Sequence, residues 1–145
     1  MSNQTEFAAW LDRRVGSWTS ERRYLFNMET LKPTNLTTEF IVDKVGALRW
    51  QVVWRGQTEG LMELNLEGDL LHRSRDYFGP GSHSSRLSLI DKDTLLLHTS
   101  YDGLSYREEI RYVKNDYVLR QTIGFSDTTG RPALVGQYME LRTDS

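Results

Sequence analysis

Cysteine is absent from this 145-residue chain. Its absence excludes disulfide frameworks, thiolate-bound metals, a cysteine nucleophile and any cofactor held by a thioether on this chain. Lysine is scarce: of 18 cationic side chains only Lys32, Lys44, Lys92 and Lys114 are lysines, and 14 are arginines. No apolar run approaches the roughly 20 residues that span a bilayer, and the segment Met1 to Glu6 is polar with no signal-peptide pattern. No membrane insertion and a cytoplasmic location are therefore the expectation. The net charge is −2 and the basic residues are scattered rather than gathered in a block, so nucleic acid is not an expected partner. Gly-rich phosphate loops, G-x-S-x-G elbows and H-E-x-x-H pairs are missing too. His72, His83 and His98 fall in three different expected strands without ligand spacing, so no metal site is expected.

What is present fits one globular domain over residues 1–145, with 38% of residues in the hydrophobic set and 26% charged. At this length a fold hides about 70% of the surface of its unfolded chain, enough for a core without a metal or disulfide. One segment reads as a helix, Thr5 to Arg14, with Phe7, Leu11 and Arg14 on one side, Trp10 adjacent, Thr5 as cap and Gly16 as the stop. From there the pattern has period two and predicts ten strands. They are Ser17–Asn27, Leu36–Val45, Ala47–Arg55, Gln57–Leu66, Asp69–Arg75, His83–Ile90, Thr94–Tyr101, Leu104–Val113, Tyr117–Phe125 and Pro132–Arg142. Turn chemistry separates them at Lys32 to Asn35, Glu67-Gly68-Asp69, Gly79-Pro80-Gly81, Asp102-Gly103, Asn115-Asp116 and Asp127 to Gly130.

Ten short-linked strands with one helix in front are too many to leave open edges safely. The expected fold is an all-β, antiparallel up-and-down barrel of the lipocalin and fatty-acid-binding-protein kind (calycin), helix at residues 5–14 and barrel at 17–142. Barrels of this kind hold one small ligand. In several strands one face is apolar and the other mixes aromatic, small and charged groups: Trp18, Ser20, Arg22, Tyr24 and Phe26 in the first, Val118, Arg120, Thr122 and Gly124 in the ninth, Leu134, Gly136, Tyr138, Glu140 and Arg142 in the tenth. Such a face is either the wet outside of a sheet or the lining of a polar cavity, with the apolar set packed under the helix or a neighbouring chain. Periodicity does not choose between these. Leu48, Trp50, Val52 and Trp54 share a face of the third strand and read first as core. Glu108 and Glu109 are sequence neighbours in a strand, so they point to opposite faces and form no acid/base dyad.

Four runs carry a resemblance. Gly16-Ser17-Trp18-Thr19-Ser20-Glu21-Arg22 matches a G-x-W-x-S-x-R opening after a helix. Thr94 to Tyr101 followed by Arg107 to Tyr112 matches T-L-x-L-x-T-x-Y and E-E-R-I-x-F segments. Tyr117 to Thr122 is similar to L-R-L-R-T-S, with Val118 for the first Arg and Thr122 for the Ser, and Gln137 to Arg142 is similar to a closing S-E-I-R. Together they resemble the S/U-type phycobiliprotein (bilin) lyases, the CpcS/CpeS family, across nearly the whole chain and in order. The resemblance implies a ten-stranded lipocalin-like barrel that binds a phycobilin, phycocyanobilin or phycoerythrobilin, and passes it to a cysteine of an apo-phycobiliprotein subunit. It places the family's bilin-contacting Arg and hydroxyl at Arg120 and Thr122, its pocket Glu at Glu140 and the Trp of its V-x-W-x-G segment at Trp54; with Trp18, Ser20, Arg22 and Tyr138 these form the expected chromophore-binding set, Arg120 and Glu140 being the catalytic candidates. It further implies no permanently bound cofactor, a cytosolic or plastid-stromal location, and a homodimer or a heterodimer with a related lyase subunit.

A bilin brings two propionates, pyrrole N–H groups and an electrophilic ethylidene. Arginine suits the propionates, a carboxylate such as Glu140 suits the pyrrole nitrogens, and Trp or Tyr suits the ring faces. The attacking thiol must come from the acceptor, because this chain has none. Catalysis would be mainly positioning, with general-acid help from Glu140. Two other readings fit the composition: a non-catalytic carrier of a fatty acid, haem or other carboxylate ligand, and a structural barrel whose Trp10, Trp18, Trp50 and Trp54 are core or interface.

Overall fold

The computed structural model describes residues 3–26, 34–56, 58–76, 79–101 and 103–144. One helix, α1 (Gln4–Asp12), precedes ten strands: β1 (Gly16–Phe26), β2 (Thr34–Gly46), β3 (Arg49–Arg55), β4 (Gly60–Glu67), β5 (Leu70–Asp76), β6 (Gly79–Asp91), β7 (Thr94–Tyr101), β8 (Leu104–Lys114), β9 (Tyr117–Ser126) and β10 (Pro132–Arg142). Each strand pairs antiparallel with its sequence neighbours, and β10 closes on β1 with Trp18 opposite Arg142 and Phe26 opposite Leu134. Closure pairs both faces of the ladder and leaves no open edge, as the strand count required.

The differences from the sequence reading are local. The helix ends at Asp12, so Arg14 lies beyond it, and Thr5 sits inside it; Asn3 holds the capping position without a side-chain cap. The expected turn at Gly79-Pro80-Gly81 is instead the start of β6, where a proline near a strand's first residue costs little. Ala47 and Leu48 form the β2–β3 turn, and β4 begins at Gly60 rather than at residue 57. Of the remaining expected features, Asn27, Lys32, Pro33, Gln57 and Asp102 lie outside the described residues.

Helix α1 plugs one end of the barrel, where the β2–β3, β4–β5 and β6–β7 turns gather. Phe7, Trp10 and Leu11 are buried there, each contributing roughly 1.5–3 kcal/mol of apolar burial. Polar ties hold the plug in register: the Trp10 indole N–H donates to the Asp93 carbonyl at 3.2 Å, the Trp50 indole N–H to Asp12 at 3.0 Å, and the Gly68 N–H to the Gln4 side chain at 2.8 Å. Gly68 has φ +64°, a conformation that favours glycine in this tight turn. Above the plug lies an apolar layer containing Trp18, Trp50, Leu95 and Val118, all essentially inaccessible. No helix of the described residues is long and apolar enough to cross a membrane.

Closure settles which face looks inward. In β1, β9 and β10 the mixed faces line the lumen, while Leu119 and Leu141 of the alternate set stand exposed on the outside together with Ile41, Val45, Ile90 and Val113. The helix does not cover that outer set, because it occupies the end of the barrel.

Candidate functional site

Five strands send polar side chains into the middle of the barrel: Ser20 and Arg22 from β1, Arg73 from β5, Glu108 from β8, Arg120 and Thr122 from β9, and Tyr138 and Glu140 from β10. Arg14, in the connection between α1 and β1, joins them from below. Glu140 is 0% exposed and accepts from Arg14 Nη2 at 2.6 Å, with Arg120 Nη1 3.9 Å from its other oxygen. Glu108 accepts from Arg120 Nη2 at 2.8 Å and from Arg73 Nη1 at 3.4 Å. Arg73 in turn donates to Thr99 at 2.9 Å and closely to Ser85, so β5, β6, β7, β8, β9 and β10 share one network.

Burial by itself would push both carboxyl pKa values up, since it penalises the charged form. The guanidiniums outweigh it. Arg120 and Arg73 hold Glu108 down at about 2, and Arg14, Arg120 and Arg22 hold Glu140 below the usual carboxylate range. Both are therefore ionised at neutral pH. Four buried or nearly buried guanidiniums, Arg14, Arg22, Arg73 and Arg120, gather around these two buried carboxylates.

Aromatic rings and missing side chains shape the lumen beyond this layer. Arg120 and Arg22 lie over the Tyr138 ring at 4.8 and 5.3 Å, and Tyr24 meets Tyr138 edge-on at 5.6 Å. Burial pushes the Tyr138 phenol pKa up, so it remains a neutral donor. A Cβ on Gly136 would stand 2.7 Å from the Tyr138 oxygen and one on Gly124 2.9 Å from the Tyr106 ring. These two glycines are what lets the tyrosines lie flat on the wall.

Of the residues expected from sequence, Ser20, Arg22, Arg120, Thr122, Tyr138 and Glu140 come together on the adjacent strands β1, β10 and β9. Ser20 accepts from Arg22 Nε at 3.2 Å and is paired in register with Glu140. Trp18 sits apart from them in the apolar layer, its indole N–H donating to the Arg14 carbonyl at 2.9 Å and its ring between the Arg14 and Arg142 guanidiniums. Trp54 lies on β3 with its indole over Gly60, so close that a Cβ there would run into the ring. Glu140, held in its ionised form by the Arg14, Arg120 and Arg22 guanidiniums, is suited to accept hydrogen bonds. Sequence reasoning missed Arg14, Arg73 and Glu108. Glu108 and Glu109 point to opposite faces, as expected, and it is Glu108 that turns inward. Its separation of 12 residues from Arg120, two inward positions on consecutive strands, is the signal that could have found that pair.

Residues 61–143 match the model of a protein family described as CpeS-like protein. A Picosynechococcus sp. protein named as a chromophore lyase, CpcV, is 25% identical over 163 residues, covering 92% of this chain and 80% of its own length. A Nostoc sp. protein named as a phycocyanobilin lyase, CpcS 2, is 25% identical over 168 residues, covering 97% of this chain and 92% of its own. Among solved structures, the S-type phycobiliprotein lyase CPES from Guillardia theta superposes with a TM-score of 0.72 at 20% identity, over 100% of this chain and 94% of that one. Rv2717c from M. tuberculosis superposes at 0.56 with 10% identity, over 96% of this chain and 98% of that one, a likeness of fold alone.

Proposed function

The chain belongs to the CpeS-like family, and from that premise we propose that it is a phycobiliprotein lyase: its barrel takes up a phycobilin non-covalently and delivers it to a cysteine of an apo-phycobiliprotein subunit. The observation that carries this reading is the group of buried guanidiniums set among aromatic side chains in the lumen. A bilin supplies the complement, two propionates on a conjugated tetrapyrrole.

Arg120 and Arg22 flank Tyr138 and offer guanidinium edges to the propionates, which a planar fork can bind bidentately. Glu140, ionised and anchored by Arg14, accepts from pyrrole N–H groups, and Glu108 keeps Arg120 and Arg73 in place until a propionate competes for them. Tyr138 and Tyr24 cover a ring face, and the Tyr138 phenol and Thr122 hydroxyl provide neutral hydrogen bonds. Catalysis is then positioning. The acceptor's thiolate adds to the ethylidene carbon, a C–S bond forms, the C=C electrons take up a proton at the neighbouring ring carbon, and no group leaves. The protein's own residues restrict the bilin's conformation and exclude competing nucleophiles.

Incubating the protein with phycocyanobilin or phycoerythrobilin and an apo-phycobiliprotein, then denaturing in acidic urea, tests this. The expected result is covalent colour on the acceptor at a rate above the spontaneous one. Bound bilin with no rate enhancement would identify a carrier instead.

A further inference from the structure

The connection from α1 to β1, Arg13 to Val15, belongs to neither element, so side chains can serve its carbonyls. Arg142, at the end of β10, serves two of them: its Nη2 donates to the Arg13 carbonyl and its Nη1 to the Val15 carbonyl, both at 2.8 Å. The Arg14 carbonyl between them accepts from the Trp18 indole N–H at 2.9 Å. Arg142 is itself tied down. Its Nε donates to the Asn115 carbonyl in the β8–β9 turn at 3.2 Å, its Nη1 pairs with Asp144 at 3.8 Å, and its guanidinium lies over the ring of Trp18, its partner in the β1–β10 register, at 4.3 Å. Gly16 makes room for it: a Cβ there would run into Arg142 Nη1, and the backbone at φ +141° is one that residues with side chains rarely adopt.

These bonds bracket one residue. The planar peptide units on either side of the Arg14 Cα carry the Arg13 and Arg14 carbonyls, and with both carbonyls held, the two backbone rotations at Arg14 are held as well. From that fixed stem the Arg14 guanidinium crosses the Trp18 ring at 4.6 Å and reaches Glu140 at 2.6 Å. Ordering a long side chain costs rotamer entropy, and a fixed stem with a ring to lie on reduces what must be lost. Burial works against the ionised Glu140 carboxylate, and Arg14 comes first among the guanidiniums that offset it, ahead of Arg120 and Arg22.

We propose that Arg142 is a positioning residue for the chromophore site: by clamping the α1–β1 connection on both sides of Arg14 it aims the Arg14 guanidinium at Glu140, and so fixes the carboxylate that accepts from the pyrrole N–H groups of the bilin. Arg142 acts through Arg14 and not on the bilin. The bilin end of this chain of contacts rests on the lyase reading, and the Glu140 end does not.

The test reads Glu140 in the bilin-free protein by carbon-13 NMR titration of the glutamate carboxyls, with Glu140→Gln to assign the signal. In the natural protein Glu140 is expected to titrate below the ordinary glutamate range, and in Arg14→Met to move up. Arg142→Met is expected to move it in the same direction and to add nothing once Arg14→Met is present. Trp18→Phe keeps a ring and changes no charge but removes the donor to the Arg14 carbonyl; it is expected to move Glu140 the same way by less, and it carries the test should Arg142→Met fail to fold. Arg86→Met, on an exposed arginine paired with Asp69, is expected to leave Glu140 in place. Phycocyanobilin titration supplies the second readout: Arg142→Met and Arg14→Met are each expected to weaken binding about tenfold, and the two together by about the same factor rather than by their product. An unmoved Glu140 in Arg142→Met and Trp18→Phe would overturn the clamp. A shift from Arg142→Met that recurs in full on top of Arg14→Met would overturn it too, because Arg142 would then act by its own charge. Unchanged bilin affinity in Arg142→Met beside a shifted Glu140 would overturn its part in the chromophore site. If the natural protein binds no phycocyanobilin at all, the lyase reading falls, and the carboxyl titration still decides the clamp.

Discussion

Replacing Glu108 by Gln removes one negative charge while keeping size and shape, and it strands the Arg73 and Arg120 guanidiniums that now hold it at 3.4 and 2.8 Å. The cost follows from the pKa. Glu108 is held at about 2 against an ordinary value of 4.5, which at 1.36 kcal/mol per unit is a preference of about 3 kcal/mol for the ionised form in the folded state. Breaking a buried pair from one side costs about 3–5 kcal/mol by independent reasoning. Urea denaturation of Glu108→Gln at pH 7 is thus expected to show a midpoint lower by ~1–3 M, given slopes of about 1–3 kcal/mol per molar. The pH dependence makes the argument sharper. A depressed carboxyl pKa stabilises above the unfolded value and loses that contribution as pH falls through the folded value. The gap between the two proteins should be full above about pH 5 and shrink towards pH 2, where the natural side chain is itself neutral. A variant within about 1 kcal/mol of the parent at pH 7, or a gap that does not change between pH 5 and 2.5, would refute the proposed balance of burial against two guanidiniums.

Arg14→Met leaves Glu140 fully buried with Arg120 Nη1 at 3.9 Å as its remaining ion-pair contact among the described residues, so chemical denaturation should show a loss of about 3–5 kcal/mol, partly restored by Arg14→Lys. Gly60→Ala drives a methyl into the Trp54 indole, and an expected loss of about 1–3 kcal/mol should be accompanied by a changed tryptophan emission spectrum. Asp12→Ala removes the acceptor of the Trp50 indole and the partner of Lys44, so hydrogen exchange of α1 should accelerate by a factor of roughly 5–30, equivalent to about 1–2 kcal/mol, while the far end of the barrel is unchanged.

Most of this architecture was legible because antiparallel barrels write their periodicity and their turns into the sequence. Strands β7 and β10 begin and end where the pattern places them, and the other eight differ at one end or both, because alternation marks a face better than it marks the last ladder bond. The misplaced turn at Gly79 to Gly81 shows the limit: glycine and proline mark turns, yet at the first residues of a strand the same residues are tolerated. The site was half legible. Arg120, Thr122 and Glu140 entered through resemblance, and their parity was visible, but inward and outward were not, because a face that mixes Arg, Tyr and Gly reads alike as wet surface or polar lumen. What decides is ring closure together with the pairing of Arg73 in β5 with Glu108 in β8, a contact across three strand boundaries that no local pattern encodes. Arg14 was hidden differently: it reads as the last residue of a helix, whereas the helix stops at Asp12 and frees the next turn of chain to reach Glu140.

The account rests on guanidiniums in the lumen meeting two carboxylates of a linear tetrapyrrole, and one titration addresses that directly. Absorbance is followed as the protein is titrated with phycocyanobilin as the free diacid and, separately, as its dimethyl ester, with Arg120→Met run alongside. The diacid is expected to bind with a sharpened, shifted spectrum, the ester to bind far more weakly, and Arg120→Met to lose about 2–5 kcal/mol of diacid affinity while treating acid and ester nearly alike. Equal binding of acid and ester by the natural protein, or diacid affinity untouched by Arg120→Met, would contradict it.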